Sequence, residues 1–193
     1  MNVSVTQQNG LSISASSALR YLGGRLPDDL LPELNKALAL FSRGIYRICY
    51  AICPVIVCDG TLSFGDSFST ASASLAENLR GCDRAALFCA TLGAEADRKI
   101  RSQRLSPAAA VVWDAAATAA IEQLCDDFCE QLPKPQRPRF SPGYGDLPLD
   151  TQQALLALLQ AELHVGVCLT DSLLMTPTKS VTAIVGLSAR TNR

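Results

Sequence analysis

One short segment carries the side chains best suited to binding a charged ligand. It reads Arg139-Phe140-Ser141-Pro142-Gly143-Tyr144 and contains a Pro-Gly turn. A glycine in a turn lets the backbone approach a ligand closely. Arginine pairs with a carboxylate through two hydrogen bonds, and a tyrosine ring packs on a flat base or faces a cation. These are the needs of an amino-acid-bearing nucleotide such as S-adenosylmethionine, although a proline-rich loop with a surface arginine is also commonplace.

Acidic residues on a long helix form a second group. Ser106-Pro107 is an N-cap followed by proline at the first helical position, which predicts an alanine-rich helix from there to about Gln131. Asp114, Thr118 and Glu122 are spaced i, i+4 and i+8 and therefore share one helical face. A solvated outer face is the default explanation for such acids, and binding to a ligand is the alternative.

The elements that must position these residues mix strands and helices without regular alternation. We therefore expect an α+β fold and not a doubly wound sheet. Pro54 interrupts the strand at 45–52, which predicts an edge position for it, and the prolines of 132–148 predict an extended or turning loop. Periodicity predicts further helices at about 14–22, 27–44, 68–79, 94–101 and 151–164, and strands at 84–91, 165–169 and 181–187.

Length and composition indicate one compact domain. The 193 residues are 48% hydrophobic and 18% charged, enough for a sizeable core. We expect residues 1–193 to form a single domain, with 1–12 either flexible or an edge strand. The part after the proline-rich loop is too short to build a second core, so that loop is expected to be structured and not a linker.

Charge and hydropathy exclude several classes of function. The net charge of −1 gives no basic field for nucleic acid and no polybasic membrane footprint. The longest uncharged apolar stretch, Ile48 to Cys58, is too short for a spanning helix, which needs about 20 residues. The first residues lack the cationic and apolar regions of a signal peptide. We expect a cytoplasmic protein that binds neither nucleic acid nor membrane.

The chain has eight cysteines and a single histidine. No two cysteines have the Cys-x-x-Cys spacing, so a zinc site of mixed Cys/His type is poorly supported. Free thiols that pack as small apolar side chains are the favoured interpretation. The alternative is a cluster ligated by the pairs Cys49/Cys53 and Cys125/Cys129, each one helical turn apart if its segment is helical.

Three groups of residues resemble one known family. Arg-x-x-Pro-Gly-Tyr at 139–144 is similar to the S-adenosylmethionine-binding motif in the activation domain of cobalamin-dependent methionine synthase. Leu169-Thr170-Asp171-Ser172 and Met175-x-Pro177-x-x-Ser180-Val181-Thr182 resemble a second segment of that domain. Residues 19–23, 90–93 and the helix through Glu122 resemble its stand-alone bacterial versions. The resemblance thus runs from about residue 18 to residue 188.

The resemblance implies a fold and a reaction. The fold is a C-shaped α+β domain around an antiparallel sheet that binds S-adenosylmethionine without a Rossmann domain, and no glycine-rich fingerprint follows a predicted strand here. The reaction reactivates cobalamin that has slipped to Co(II). A flavodoxin-type donor supplies one electron, and the Co(I) formed attacks the sulfonium methyl group, which yields methylcobalamin and S-adenosylhomocysteine.

The resemblance also implies residue roles. Arg139 would pair with the carboxylate of the methionine moiety, Ser141 and Gly143 would offer backbone contacts, and Tyr144 would flank the ligand. An acid on the long helix would hold the amino group of the ligand. For that role Glu122 is the first candidate, with Asp114 in reserve.

The chain departs from the family at two points. Asp171 stands where the family has glutamate, so a direct role for Asp171 is doubtful. The cobalt-ligating pattern Asp-x-His-x-x-Gly would place His164 between an aspartate and a glycine, but the chain has Glu162 and Val167 there. His164 is therefore expected to be a helix-end or core histidine, and cobalamin would have to be supplied by a partner protein.

The leading hypothesis is a stand-alone S-adenosylmethionine-binding protein that reactivates a separate cobalamin-dependent methionine synthase. One alternative is a non-catalytic module that senses the ligand or holds a partner, which Asp171 and the short C-terminal tail motivate. Another is an activator of a different corrinoid methyltransferase. An ordinary Rossmann methyltransferase is a distant possibility.

Overall fold

The protein is described by a computed structural model that covers residues 1–58, 60–103 and 106–188. Its strands are β1 (Ser4–Asn9), β2 (Ile45–Cys58), β3 (Thr61–Phe64), β4 (Phe68–Ala71), β5 (Arg84–Thr91), β6 (Cys168–Leu169), β7 (Met175–Thr176) and β8 (Ser180–Leu187). Its helices are α1 (Ala15–Arg20), α2 (Leu31–Ser42, after a 3-10 turn at Asp28–Leu30), α3 (Ala73–Asn78), α4 (Ala94–Ser102), α5 (Pro107–Gln131), α6 (Thr151–Leu158) and α7 (Ala161–Val165).

An antiparallel sheet with the order β4-β3-β2-β5-β8 is the centre of the molecule. β1 adds to one edge of β2, so of the two expectations for residues 1–12 the structure shows an edge strand. β5 spans the predicted residues and is buried at every position except Arg84. Alternate residues of β5 face opposite sides of the sheet, as the two-residue period of a strand requires: Phe88 joins one core and Leu87 the other.

Helices cover both faces of the sheet. One core packs α1, α2 and α5 against the face that carries Phe88. The other packs α3, α6, α7 and Phe140 of the proline-rich loop against the face that carries Leu87. The predicted α+β class is therefore confirmed. In the described ranges, no helix combines the length and apolarity that crossing a bilayer requires.

The prediction of an edge strand before Pro54 is wrong, because β2 continues through this proline and lies inside the sheet. The Val55 N–H donates to the Asp83 carbonyl at 3.1 Å, so the nitrogen of Pro54 points to the opposite edge of β2. On that edge, the pairing with β1 ends at Tyr50 and the pairing with β3 begins at Val55. The proline thus occupies the one short gap where a ladder hydrogen bond is not needed.

Three other predicted elements are wrong in part. The helix predicted at 68–79 begins only after Ser72, which caps α3, and Phe68–Ala71 is strand β4. The helix predicted at 151–164 is broken into α6 and α7 at Gln160, whose φ is +46°. The strand predicted at 165–169 shrinks to β6, which forms a separate two-stranded sheet with β7.

The proline-rich loop between α5 and α6 runs along β8 and brings Arg139 to its place. Phe140 exchanges two backbone hydrogen bonds with Ile184 of β8, both 2.9 Å, and the Arg137 N–H donates to Gly186 at 2.8 Å. Because the loop adds to the edge of the sheet in this way, it is structured, as the sequence predicts. α5 begins where predicted, with the Ala109 N–H donating to the Ser106 hydroxyl at 3.4 Å.

Six of the eight cysteines pack into the two cores, whereas Cys58 and Cys168 are exposed. Cys49 and Cys89 lie opposite each other on β2 and β5, and both are fully buried. Burial raises the pKa of the Cys53 thiol to about 11. Cys49 and Cys53 belong to the core on one face of the sheet and Cys125 to the core on the other face. The two pairs considered for a four-cysteine cluster therefore do not converge.

Candidate ligand site

The Arg139 guanidinium forms ion pairs with two acids of α5. Its Nη2 donates to Glu122 Oε2 and its Nη1 donates to Asp126 Oδ1. Glu122 and Asp126 are spaced i, i+4, so their side chains leave the helix one turn apart on the same face. Arg139 comes from the proline-rich loop, 17 residues after Glu122. The fold thus brings together Arg139, predicted to bind the carboxylate of the ligand, and Glu122, predicted to bind its amino group.

The charges at this cluster do not cancel. Partial burial works to lower the pKa of the Arg139 guanidinium, but the neighbouring carboxylates of Asp126 and Glu122 outweigh it and raise this pKa. Burial raises the pKa of the Cys125 thiol beneath the cluster, so the thiol stays neutral. One guanidinium faces two carboxylates, and the side chain of Arg139 is only 23% exposed. The cluster therefore carries one excess negative charge.

Asp114, the reserve candidate, has a different partner. Its Oδ1 lies 2.9 Å from Lys179 Nζ, and the same ammonium donates to Thr118 Oγ1 at 2.9 Å. The side chain of Lys179 is only 15% exposed. The shared face of α5 therefore carries two separate polar groups, one at Asp114 and one at Glu122.

The position of Lys179 is fixed by residues 175–182, which belong to the second segment that resembles the family. Asp97 of α4 accepts the Thr178 N–H at 2.9 Å and the Thr178 hydroxyl at 2.6 Å. The Ser180 hydroxyl donates to Pro177 O at 2.7 Å and lies 2.8 Å from Thr91 Oγ1. These bonds fix the turn that enters β8 and direct Lys179 to α5.

A cleft of about 490 Å³ opens beside Asp114 on the same face of α5. Ala110, Val111, Ala115 and Thr118 of the helix line it together with Tyr21 and Ile100. Its volume lies within the range of small-molecule sites. A larger cleft of about 850 Å³ lies elsewhere, between α6, α7 and β6, and half of the residues that line it are leucine or alanine.

Several backbone groups of the turn after Arg139 are hydrogen-bonded to one another. Gly143 has φ +83° and its N–H donates to Leu147 O at 2.9 Å, while the Tyr144 N–H donates to Ser141 O at 3.1 Å. These bonds occupy the Gly143 N–H and the Ser141 carbonyl. The backbone contacts expected from Ser141 and Gly143 would have to come from their other backbone groups.

Tyr144 does not pack against Arg139. Its ring meets the Phe140 ring edge-on, with centroids 5.5 Å apart, and is 70% exposed. Phe140 belongs to the core opposite to the one that contains α5, while Arg139 extends to α5. That Arg139 and Tyr144 both flank one ligand stays a prediction.

Two residues of the site were missed by the sequence reasoning. Asp126 continues the i, i+4 series of Asp114, Thr118 and Glu122, so the spacing could have found it. Lys179 had no such signal, because its contact with Asp114 joins residues that are 65 positions apart.

The two family residues questioned at the sequence level lie away from α5. Asp171 is exposed in the turn between β6 and β7. His164 lies in the last turn of the short α7, as expected of a helix-end histidine.

Residues 111–192 match the family of the vitamin B12 dependent methionine synthase activation domain. The whole chain also resembles a solved structure, the MetH reactivation domain bound to AdoHcy, with a TM-score of 0.73 and 15% sequence identity. The alignment covers 100% of this chain and 80% of that chain. No curated protein matches the chain significantly.

The resemblance found in the motifs is thereby confirmed. Similarity to the activation domain extends over the full chain in fold and over residues 111–192 in sequence. The matched residues run from near the start of α5 through the proline-rich loop to beyond β8, so they include Asp114, Glu122, Asp126, Arg139 and Lys179. The candidate site thus lies in the part of the chain that matches the activation domain most directly.

Proposed function

We propose that this chain binds S-adenosylmethionine along α5 and presents its methyl group to the cobalamin of a separate methionine synthase, which is thereby reactivated. The observation that carries the proposal is the ion pair between Arg139 and Glu122. A guanidinium and a carboxylate held side by side match the carboxylate and the ammonium of an amino acid. The match to the activation-domain family supports the same assignment.

Binding would exchange one ion pair for two. The ammonium of the ligand replaces the guanidinium at Glu122, and the carboxylate of the ligand takes the freed donors of Arg139. Because the side chains of Arg139 and Glu122 are 23% and 41% exposed, breaking their pair costs about 1 kcal/mol or less. Two charge-assisted hydrogen-bonded contacts to the ligand outweigh that cost.

Cobalamin would come from the partner protein. The Glu162 and Val167 positions depart from the cobalt-ligating pattern, and His164 lies in a helix of five residues. The partner's cobalamin supplies the nucleophile for the methyl group once a flavodoxin-type donor has delivered one electron. The residues of this chain bind and orient the sulfonium ligand, so the face of α5 that holds it must also be open to the partner.

Isothermal titration calorimetry with S-adenosylmethionine tests the binding step. Replacing Arg139 by alanine should weaken binding about ten- to a hundredfold, the loss of a contact worth about 1.5–3 kcal/mol. Arg137→Ala is the matched control, because Arg137 lies in the same loop but donates to the Arg80 carbonyl at 2.7 Å. An absence of binding by the wild-type chain, or an unchanged affinity in Arg139→Ala, would contradict the proposal.

A reactivation assay tests the role of the chain. A methionine synthase without its own activation domain, with its cobalamin in the Co(II) state, is mixed with this chain, S-adenosylmethionine and a low-potential reductant. Recovery of the methylated cobalamin spectrum supports the proposal. Binding of S-adenosylmethionine without recovery would instead support a sensing module, and recovery only with another corrinoid methyltransferase would assign a different partner.

A further inference from the structure

We propose that Asp126 is a positioning residue that holds the Arg139 guanidinium in place while the ammonium of the ligand occupies Glu122. The inference rests on the proposed binding of S-adenosylmethionine and assigns a third residue to its site. Arg139 has two acid partners, and the proposed binding mode removes one of them.

The two acids bind different parts of the Arg139 guanidinium. Glu122 bonds to Nη2 and Asp126 bonds to Nη1, so the contacts use different nitrogens of one rigid guanidinium. When Glu122 turns to a ligand, the bond from Nη1 to Asp126 can persist. It fixes one end of the planar group and leaves Nη2 directed at the position where the carboxylate of the ligand binds.

The position of the cleft indicates which of the two acids gives up its bond to Arg139 when the ligand binds. The cleft beside Asp114 and Thr118 lies toward the start of α5 from Glu122, whereas Asp126 lies one turn farther toward its end. With a rise of about 1.5 Å per residue, Asp114 and Glu122 are about 12 Å apart along the axis. An elongated ligand that reaches from Arg139 into this cleft passes Glu122 and does not reach Asp126.

The charges on α5 also indicate that the ligand binds at Glu122 while Asp126 stays with Arg139. Lys179 neutralises Asp114, so that acid has no excess charge to offer a ligand. Among the described residues, Arg139 is the one cation paired with Glu122 and Asp126, and this group carries one excess negative charge. The ammonium of an aminocarboxylate supplies the missing positive charge, and its carboxylate is then balanced by Arg139.

The test compares S-adenosylmethionine with its decarboxylated analogue, which keeps the ammonium and the sulfonium but lacks the carboxylate. Asp126→Asn removes one negative charge, which weakens both cationic ligands, and it also frees Arg139, which matters only for a ligand with a carboxylate. It should therefore weaken S-adenosylmethionine about three- to tenfold more than it weakens the analogue. Glu122→Gln should weaken both ligands, because both carry the ammonium. Asp126→Glu, which keeps the charge, should recover most of the affinity.

The control is Glu130→Gln, which removes one charge from an exposed position of α5 one turn beyond Asp126 and should affect neither ligand. Chemical denaturation shows whether each variant is folded. Equal weakening of both ligands by Asp126→Asn, or no weakening of either, would overturn the positioning role while wild-type binding still supports the proposed function. If the wild-type chain bound neither ligand, the proposed function and this inference would fall together.

Discussion

Asp146 accepts a 2.5 Å hydrogen bond from the Ser72 hydroxyl, although the two residues lie 74 positions apart in the sequence. The same carboxylate accepts the N–H groups of Ala73 and Ser74 at 2.7 and 3.0 Å. It therefore satisfies the free N–H groups at the start of α3. This contact anchors the turn that carries Gly143 and Tyr144 to the rest of the molecule.

The first prediction concerns acid stability. Hydrogen bonds from Ser72, then from Ser74 and Ala73, hold the pKa of Asp146 well below its usual value. A carboxylate with a lowered pKa in the folded state stabilises that state at pH values above its unfolded pKa near 4, and the contribution is lost as the pH falls through the folded pKa. Asp146→Asn should lower the free energy of unfolding at pH 7, and the difference from wild type should shrink as the medium becomes strongly acidic.

Urea denaturation at pH 7, 5 and 3 measures this difference. Asp150→Asn is the control, because Asp150 starts α6 without a side-chain capping bond and should have little effect at any of these pH values. A difference between Asp146→Asn and wild type that stays constant over the whole range would contradict the prediction.

The parts of the fold that the sequence predicts are those with strong local signals. The Ser106-Pro107 start of α5 and the apolar run of β5 each mark their element within a few residues. The missed elements depend on partners. Phe68–Ala71 becomes a strand because it pairs with β3, where Phe64 and Phe68 stack with centroids 4.8 Å apart. Nothing within those few residues distinguishes a strand from the first turn of a helix.

The same distinction applies to the site. Arg139 could be predicted as a site residue from its motif, and Glu122 from its helical spacing. That Asp126 shares Arg139, and that Lys179 pairs with Asp114, depends on how the proline-rich loop and the turn before β8 dock on α5. Long-range docking of this kind leaves no periodicity in the sequence.

The second prediction concerns the turn after Arg139. Gly143 has φ +83°, and a Cβ added there would lie 3.1 Å from Leu149 Cδ1. Gly143→Ala should therefore lower the free energy of unfolding by about 1–2 kcal/mol for the left-handed backbone alone, with the contact adding to it. Gly23→Ala provides the comparison, because Gly23 has φ +74° and nothing within 4 Å of its added Cβ. A Gly143→Ala chain that unfolds less readily than Gly23→Ala would contradict this account.

The third prediction tests the pairing on the first half of α5. Lys179→Met and Asp114→Asn each remove the same ion pair, so their effects on the free energy of unfolding should not add in the double variant. The coupling should be about 0.2–1 kcal/mol, since Asp114 is 55% exposed. Denaturant titration of the four chains of the cycle measures it. Strict additivity would show that the two side chains do not interact in solution.

The fourth prediction separates the shape of Arg139 from its charge. A lysine keeps the positive charge, but all its N–H donors lie on one nitrogen. It therefore cannot reach Glu122 and Asp126 from two separate nitrogens or offer a planar fork to a carboxylate. Arg139→Lys should therefore bind S-adenosylmethionine at least about tenfold more weakly than wild type, close to Arg139→Ala.

Calorimetry measures the affinity of Arg139→Lys, and denaturation should show a loss of unfolding free energy of about 1 kcal/mol or less, since the ion pairs of Arg139 are partly exposed. Arg137→Lys, in the same loop, should keep the affinity of the wild type. If Arg139→Lys bound as tightly as wild type, a point charge would be sufficient at this position. The fork geometry that joins Glu122, Asp126 and the ligand carboxylate would then have no part in recognition, and the proposed role of Asp126 would lose its basis.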